Sequence, residues 1–403
     1  MKTSFLLPVL LGASSLFASD LSDALIGGSL WTKSRSEICS TDFVGLRYMP
    51  IDDHTIRLTP RLNVKFDEKE YESYLDGKQI NHKKRNKGAG LNDKSDLCID
   101  DVDLGETIVR WDEHMNTLNM LGLVYSRGDD GEITKEEFAK LIRKTVKTLD
   151  ALAVKAGCIS ESKGKGEEEH VGLAGLYNWY WEWDGGVMLL EASASDMGRG
   201  NVRPEFIRLK MGPTPESIAT GGADNMTNSA WLLKNVKKEG AKVYVAGIPM
   251  VDQGQKGYCV VASVARIFAY YGADAIDQHT LAQLCDTLTV GGTYVHEMEN
   301  ALMNMGNQFH FTPMCIKAYY SENQSGISAS QLVNLVKMYV DKGVPVLWTV
   351  TDPRHMRMLI GYNTATNEVY YTDSWGQGHE FKPMSAKKAA KMTDMLHVLI
   401  PHQ

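Results

Sequence analysis

Residues 355–373, HMRMLIGYNTATNEVYYTD, constrain the fold more than any other stretch of this 403-residue chain. Asp352-Pro353 marks a turn, and His355 then opens an apolar strand, Met356 to Tyr362. A second strand, Glu368 to Thr372, follows a loop of hairpin size, Asn363-Thr364-Ala365-Thr366-Asn367. An antiparallel hairpin sets the start of one strand beside the end of the next. The spacing therefore predicts that His355 and Asp373 are neighbours, although 18 positions separate them. A carboxylate beside a histidine fixes the tautomer and stabilises the imidazolium. Arg357, two residues on, shares the face of His355. It has three candidate partners, Asp352, Asp373 or a substrate carboxylate, and a structural ion pair is the default reading.

The stretch DQGQKGYCVVAS, residues 252–263, supplies what such a histidine could serve. From Cys259 the apolar residues Val260, Val264, Ile267 and Tyr271 recur at helical spacing, and Gly272 is placed to end the helix in a left-handed cap. Cys259 thus falls in the first turn, where unsatisfied N–H groups and the helix dipole favour negative charge and so the nucleophilic thiolate. Gly257 lets a substrate approach, and Gln253 stands six residues ahead of the cysteine. A lone cysteine is usually a core residue. Weight comes from the combination with His355 and Asp373.

In chain order, Gln253, Cys259, His355 and Asp373 resemble the active-site set of the papain-like cysteine peptidases. IPMVDQGQKGYCVVAS is similar to their cysteine segment, HMRMLIGYN to their histidine strand, and Asp373-Ser374-Trp375-Gly376 to their Asn-Ser-Trp-Gly. The resemblance spans roughly residues 240–403. It implies that Gln253 is the oxyanion-hole side chain, Cys259 the nucleophile, His355 the base and acid, and Asp373 the orienting group. Trp375 would shield the His–Asp hydrogen bond. Asp373 stands where asparagine is usual, and Lys256 where papain has a disulfide cysteine. Cys259 and His355 are 96 positions apart, against about 130–150 in papain and cathepsins. That compactness is closer to the bacteriocin-processing (double-glycine leader) peptidases. Helices expected near 278–288, 294–305 and 328–342, then a strand from Val344 to Val350, suit that branch. No transporter segments accompany the motifs, so leader cleavage during export is not implied. What the resemblance implies is a thiol peptidase acting on a peptide or protein, with no metal or organic cofactor. Acyl transfer to an amine and a retired active site with only a binding role remain open.

The remainder of the chain is read from its own residues. The length suits two or three domains. MKTSFLLPVLLGASSLFASD reads as a secretory signal peptide cut after about Ala18, which predicts a periplasmic or secreted protein. A net charge of −7 argues against nucleic acid as a partner, and the basic run 82–87 reads as a solvated loop. Six cysteines with no paired C-x-x-C give no metal pattern and no legible disulfide framework.

Within residues 20–211, Thr134 and Glu137 form a capping box ahead of a helix to about Ala156. Trp179, Trp181 and Trp183 alternate before an Asp184-Gly185-Gly186 turn, predicting a hairpin with cross-strand aromatic packing. SRGDDGEITKEE, residues 126–137, resembles an EF-hand loop but has Ser126 and Gly128 at its first two ligand positions, so it reads as strand, turn and capped helix. His379-Glu380 suggests no metal site, because adjacent residues on an extended stretch face opposite ways. Pro213, Pro215 and the glycines around them mark a linker, 212–228. A helix over 229–238 is expected after it. The fold class is α+β: an N-terminal α+β domain with β-hairpins, which could hold a cell-wall or surface ligand, then a compact papain-like peptidase domain, 229–403. There a helix bearing Cys259 packs on an antiparallel sheet bearing His355 and Asp373.

Overall fold

The computed structural model describes residues 21–38, 47–59, 97–112, 116–158, 167–171, 174–219, 229–254, 257–273, 276–287, 292–306, 308–318, 326–351 and 353–402. The signal-like segment, the basic run, Cys39, Asp352 and Lys256 lie outside them.

Among the described residues, eight antiparallel strands form the first sheet: β1 (Arg47–Pro50), β2 (Thr55–Thr59), β5 (Thr107–Asp112), β6 (Thr117–Ser126), β7 (Glu167–Val171), β8 (Ala174–Trp183), β9 (Gly186–Asp196) and β10 (Val202–Gly212). Their order is β1-β2-β5-β6-β10-β9-β8-β7, and a small ribbon, β3 (Cys98–Ile99) with β4 (Val102–Asp103), lies apart. The β8–β9 hairpin turns at the expected glycines. Trp181 and Trp183 are buried and Trp179 packs against the same core, as cross-strand packing requires. Trp181 Nε1 donates to Asp150 Oδ1 at 2.9 Å, tying the sheet to the Lys135–Lys155 helix. That helix starts at the expected capping box, Thr134 with Glu137. In the EF-hand-like stretch, residues 127–130 make one helical turn, and Asp130 Oδ2 accepts from the Ser126 N–H at 2.8 Å. This carboxylate is turned back onto its own chain.

The segment marked by prolines is ordered further than its composition suggests. β10 runs through Gly212, and a helical turn, Pro215–Ile218, packs back on it with Ile218 buried. The Ser217 hydroxyl, donating to the Thr214 carbonyl at 2.5 Å, closes that turn. After residue 228 the helix is shorter than expected, Ser229–Lys234. Residues 236–239 form strand β11 (Val236–Glu239), paired in a hairpin with β12 (Lys242–Val245). Gly240, at φ +63°, takes the left-handed position in the turn between β11 and β12.

The second sheet holds β11, β12, β13 (Phe311–Ala318), β14 (Val346–Thr351), β15 (Arg354–Asn363), β16 (Glu368–Thr372), β17 (Lys382–Ser385) and β18 (Thr393–Pro401). β15 is its hub. It pairs with β14 through its first half, with β12 through its last three residues, and with β16 along the other edge. Gly361 permits the crowding, since a Cβ there would come 2.7 Å from the Val243 carbonyl oxygen. The Cys259–Tyr270 helix lies against β15, with Val261, Val264, Ile267 and Phe268 in one core with Met356, Met358 and Leu359.

The short Gln278–Leu284 helix is buried on almost every side, because it lies between the cysteine helix and the first sheet. Asp277 caps it, accepting from the N–H groups of His279 and Thr280 through Oδ1. Its Oδ2 takes Arg208 of β10. Arg208 also pairs with Glu191 of β9 at 2.5 Å, and Lys210 reaches the same carboxylate at 3.1 Å. Ser193 donates to Gln283 Oε1 at 2.7 Å. Arg127 pairs with Glu205 and donates to the Thr287 carbonyl. Burial opposes the charge on Glu191, but Arg208 and Lys210 outweigh it and hold its carboxyl below the usual range.

Candidate active site

Cys259 is the first residue of its helix, as the periodicity predicts, and Gly272 follows the helix end at φ +87°. Burial alone would raise its thiol pKa. The hydrogen bond and charge of His355, with a contact from the Met356 backbone, reverse the sign and lower it. The Met356 contact is available because β15 runs directly under the start of the helix.

His355 lies at the start of β15 and Asp373 just past the end of β16, where the hairpin brings them together. His355 Nε2 donates to Asp373 Oδ1 at 2.5 Å, with both side chains buried. This leaves Nδ1 as the ring nitrogen for the thiol. Burial works against the imidazolium, yet Asp373 and then Cys259 raise the His355 pKa to about 10. The same pairing, helped by Arg357 and the Ser374 N–H, depresses Asp373 to about 2 against its own burial. Arg357 Nε donates to Asp373 Oδ2 at 2.9 Å, and Asp373 is one of its candidate partners. Its guanidinium lies over the Tyr371 and Trp348 rings. The Trp375 ring lies 4.8 Å from the His355 ring, tilted by 30°.

The loop carrying Gln253 is held from several directions. Its N–H donates to the Ser374 carbonyl at 2.9 Å, and the Ser374 hydroxyl donates to Oε1 at 2.7 Å. With Oε1 engaged as acceptor, the amide nitrogen is the donating end. Gly254 sits at φ +69°, and its N–H donates to Asp252 Oδ1 at 2.9 Å. Gly257, two residues before Cys259, abuts Gly292: a Cβ on Gly292 would come 3.2 Å from the Gly257 carbonyl oxygen.

Three supports escaped the sequence reading. Arg266, on the cysteine helix, is buried and donates to the carbonyls of Pro249 and Asp373 and to the Thr372 hydroxyl. Its burial brings its pKa down to about 10. It ties the cysteine segment to the aspartate turn, and the signal was present: a charge inside an otherwise apolar helix. Ser374 was legible only as part of a motif. Asp252, beside Gln253, gave no signal, because its partners come from residues far away in sequence.

His379 is buried beneath Trp375, its carbonyl accepting from the Asp373 N–H, while Glu380 is exposed. Among the described residues one group has metal-ligating chemistry, Glu299, Cys315 and His397. His397 Nε2 and Glu299 Oε1 are already hydrogen-bonded to each other at 2.7 Å. Cys315 faces His397 across the β13–β18 pair, on strands that do not carry Cys259, His355 or Asp373.

Residues 245–393 match the family described as Peptidase_C39 like. Among solved structures, the chain is similar to the peptidase domain of Streptococcus ComA, a bi-functional ABC transporter involved in a quorum-sensing pathway. The identity is 18%, covering 39% of this chain and 100% of that one, with a TM-score of 0.30. A fragment of Prevotella intermedia prointerpain A is similar at 12% identity, over 59% of this chain and 98% of that one, with a TM-score of 0.27. No curated protein matches.

Proposed function

Starting from residues 245–393 as a Peptidase_C39-like domain, we propose that this protein is an exported thiol peptidase working through Cys259, His355 and Asp373. One observation carries the reading. A cysteine at a helix N-terminus shares a proton with a buried histidine whose other nitrogen is bound to a carboxylate.

The thiolate attacks a peptide carbonyl, and the oxyanion forms beside the Cys259 N–H and the Gln253 amide. The His355 imidazolium gives its proton to the leaving amine. Neutral His355 then takes a proton from water as the water attacks the acyl-enzyme, and collapse of the second tetrahedral intermediate expels the Cys259 thiolate beside the re-formed imidazolium. Asp373 holds the imidazole in the required tautomer, and Arg357 holds Asp373. Asp373 thus fills the orienting role with a full charge. This agrees with the upward shift of His355, since a stronger partner makes the thiolate–imidazolium state the resting form.

The test is labelling with a thiol-directed epoxide or vinyl sulfone, read alongside hydrolysis of a peptide pool. Wild type should label at one site and hydrolyse peptides, and C259A should do neither. Labelling that survives in C259A defeats the assignment. Export is tested separately, by sequencing the N-terminus of the mature protein, which should begin just after Ala18.

A further inference from the structure

The first sheet reaches past the Gln278–Leu284 helix to the loop that carries Gln253. Arg57 of β2 is buried, with 2% of its side chain exposed, although it belongs to the other sheet. Its Nη2 lies 3.0 Å from Asp252 Oδ2, and its Nη1 lies 3.4 Å from Glu106 Oε2. The other oxygen of Asp252 accepts the Gly254 N–H. One carboxylate therefore clamps the residue after Gln253 while an arginine from the first sheet fixes the carboxylate. The Asp252 carbonyl is held in turn by Gln278 Nε2 at 3.2 Å.

A second contact lies at the far end of the same segment. Gly128, in the helical turn after β6, packs on Tyr258, the residue before the nucleophile. A Cβ on Gly128 would fall 2.2 Å from the Tyr258 hydroxyl oxygen. The N-terminal region thus touches Asp252, just before Gln253, through Arg57, and Tyr258, just before Cys259, through Gly128.

We propose that the N-terminal region is a working part of the oxyanion site, with Arg57 as the positioning residue that sets Gln253 through Asp252. This rests on the peptidase reading above. Gln253 sits between two residues whose geometry is set by the Asp252 carboxylate. A loop built around a left-handed glycine has no regular secondary structure to hold it. Removing the guanidinium leaves that carboxylate buried without its cation, and the loop relaxes toward water. An amide displaced by about 1 Å stabilises the oxyanion poorly but leaves the thiolate untouched.

The difference can be measured on the full-length protein with two reactions at Cys259. Alkylation by iodoacetamide is a displacement that needs the thiolate and no oxyanion. Acylation by p-nitrophenyl acetate passes through a tetrahedral oxyanion and releases p-nitrophenolate. Each is read as the part lost in C259A. Arg57→Gln should slow acylation about tenfold while alkylation and its pH profile hold within about twofold. Arg57→Lys, which keeps the charge, should recover most of the rate and covers the case in which the glutamine variant does not fold. In the double variant with Gln253→Ala, acylation should fall no further than in Gln253→Ala alone, since Arg57 acts through that amide.

Unchanged acylation in Arg57→Gln overturns the proposal. So does an additive loss in the double variant, or a parallel loss of both reactions. A wild-type enzyme whose Cys259 alkylates with an ordinary thiol profile overturns the peptidase reading and this inference together. A shifted wild-type profile with an inert Arg57→Gln overturns this inference alone.

Discussion

Among the described residues both sheets contain eight antiparallel strands, and arginines are buried at both, but the charges do different work. At the second sheet, Arg266 of the cysteine helix and Arg357 of β15 converge on the Asp373 turn, one through its backbone and one through its carboxylate. The charges there fix the carboxylate and backbone of Asp373, the group that raises the His355 pKa. In the first sheet Arg208 and Arg127 face outward from β10 and the end of β6 toward the Gln278 helix and the loop after it. Those charges join one layer to another. A buried ion pair contributes little net stability against an apolar substitute, yet losing one partner is costly. These pairs tie the first sheet to the Asp277 cap and to the Thr287 carbonyl.

The contrast can be broken from either side. The largest effect belongs to the chemistry: C259A should lower peptide hydrolysis by about 10⁴-fold or more, with the denaturation midpoint nearly unchanged. Next, Arg208→Ala should cost about 3–5 kcal/mol in a denaturant titration of the full chain, because Glu191 and Asp277 lose their shared cation. Its alkylation pH profile should stay that of wild type. A loss below about 1 kcal/mol would mean that the network behaves like a surface ion pair. Gln253→Ala should reduce kcat by about 10²–10³-fold with little change in alkylation.

The smallest effect concerns pH. In wild type the thiolate is present above a lowered thiol pKa, and its imidazolium partner persists until His355 titrates at about 10. Hydrolysis should therefore rise at low pH, hold a plateau, and fall as pH climbs through the histidine value. Asp373→Asn removes the charge that raises His355. Its falling limb should move to lower pH, with a plateau about tenfold lower or less, read from kcat/KM against pH. A falling limb that does not move would mean that Asp373 orients the ring without setting its charge.

The hairpin at 355–373 was legible because its pattern is local: two apolar runs, a short polar loop, and a period of two that puts Arg357 on the face of His355. The Cys259 helix was legible for the same reason, with a period of 3.6 and a glycine stop. Reading failed where competing local signals were similar. Residues 235–238 suit a helix face as well as a strand edge, and pairing with β12 decided for the strand. The prolines after Met211 suggested open chain, while burial of Ile218 against β10 ordered it through residue 219.

The sequence by itself set Cys259 at a helix start through periodicity and His355 beside Asp373 through one hairpin, and the motif resemblance brought the two together. It carried no sign that Arg57 holds Asp252, that Gly128 seats Tyr258, or that Arg208 joins Glu191 to Asp277. Arg57 and Asp252 are 195 positions apart, Gly128 and Tyr258 are 130 apart, and Arg208 carries Glu191 of its own sheet to Asp277, 69 positions on. Only the packing of one layer on another brings them within reach, and burial then makes each partner costly to lose.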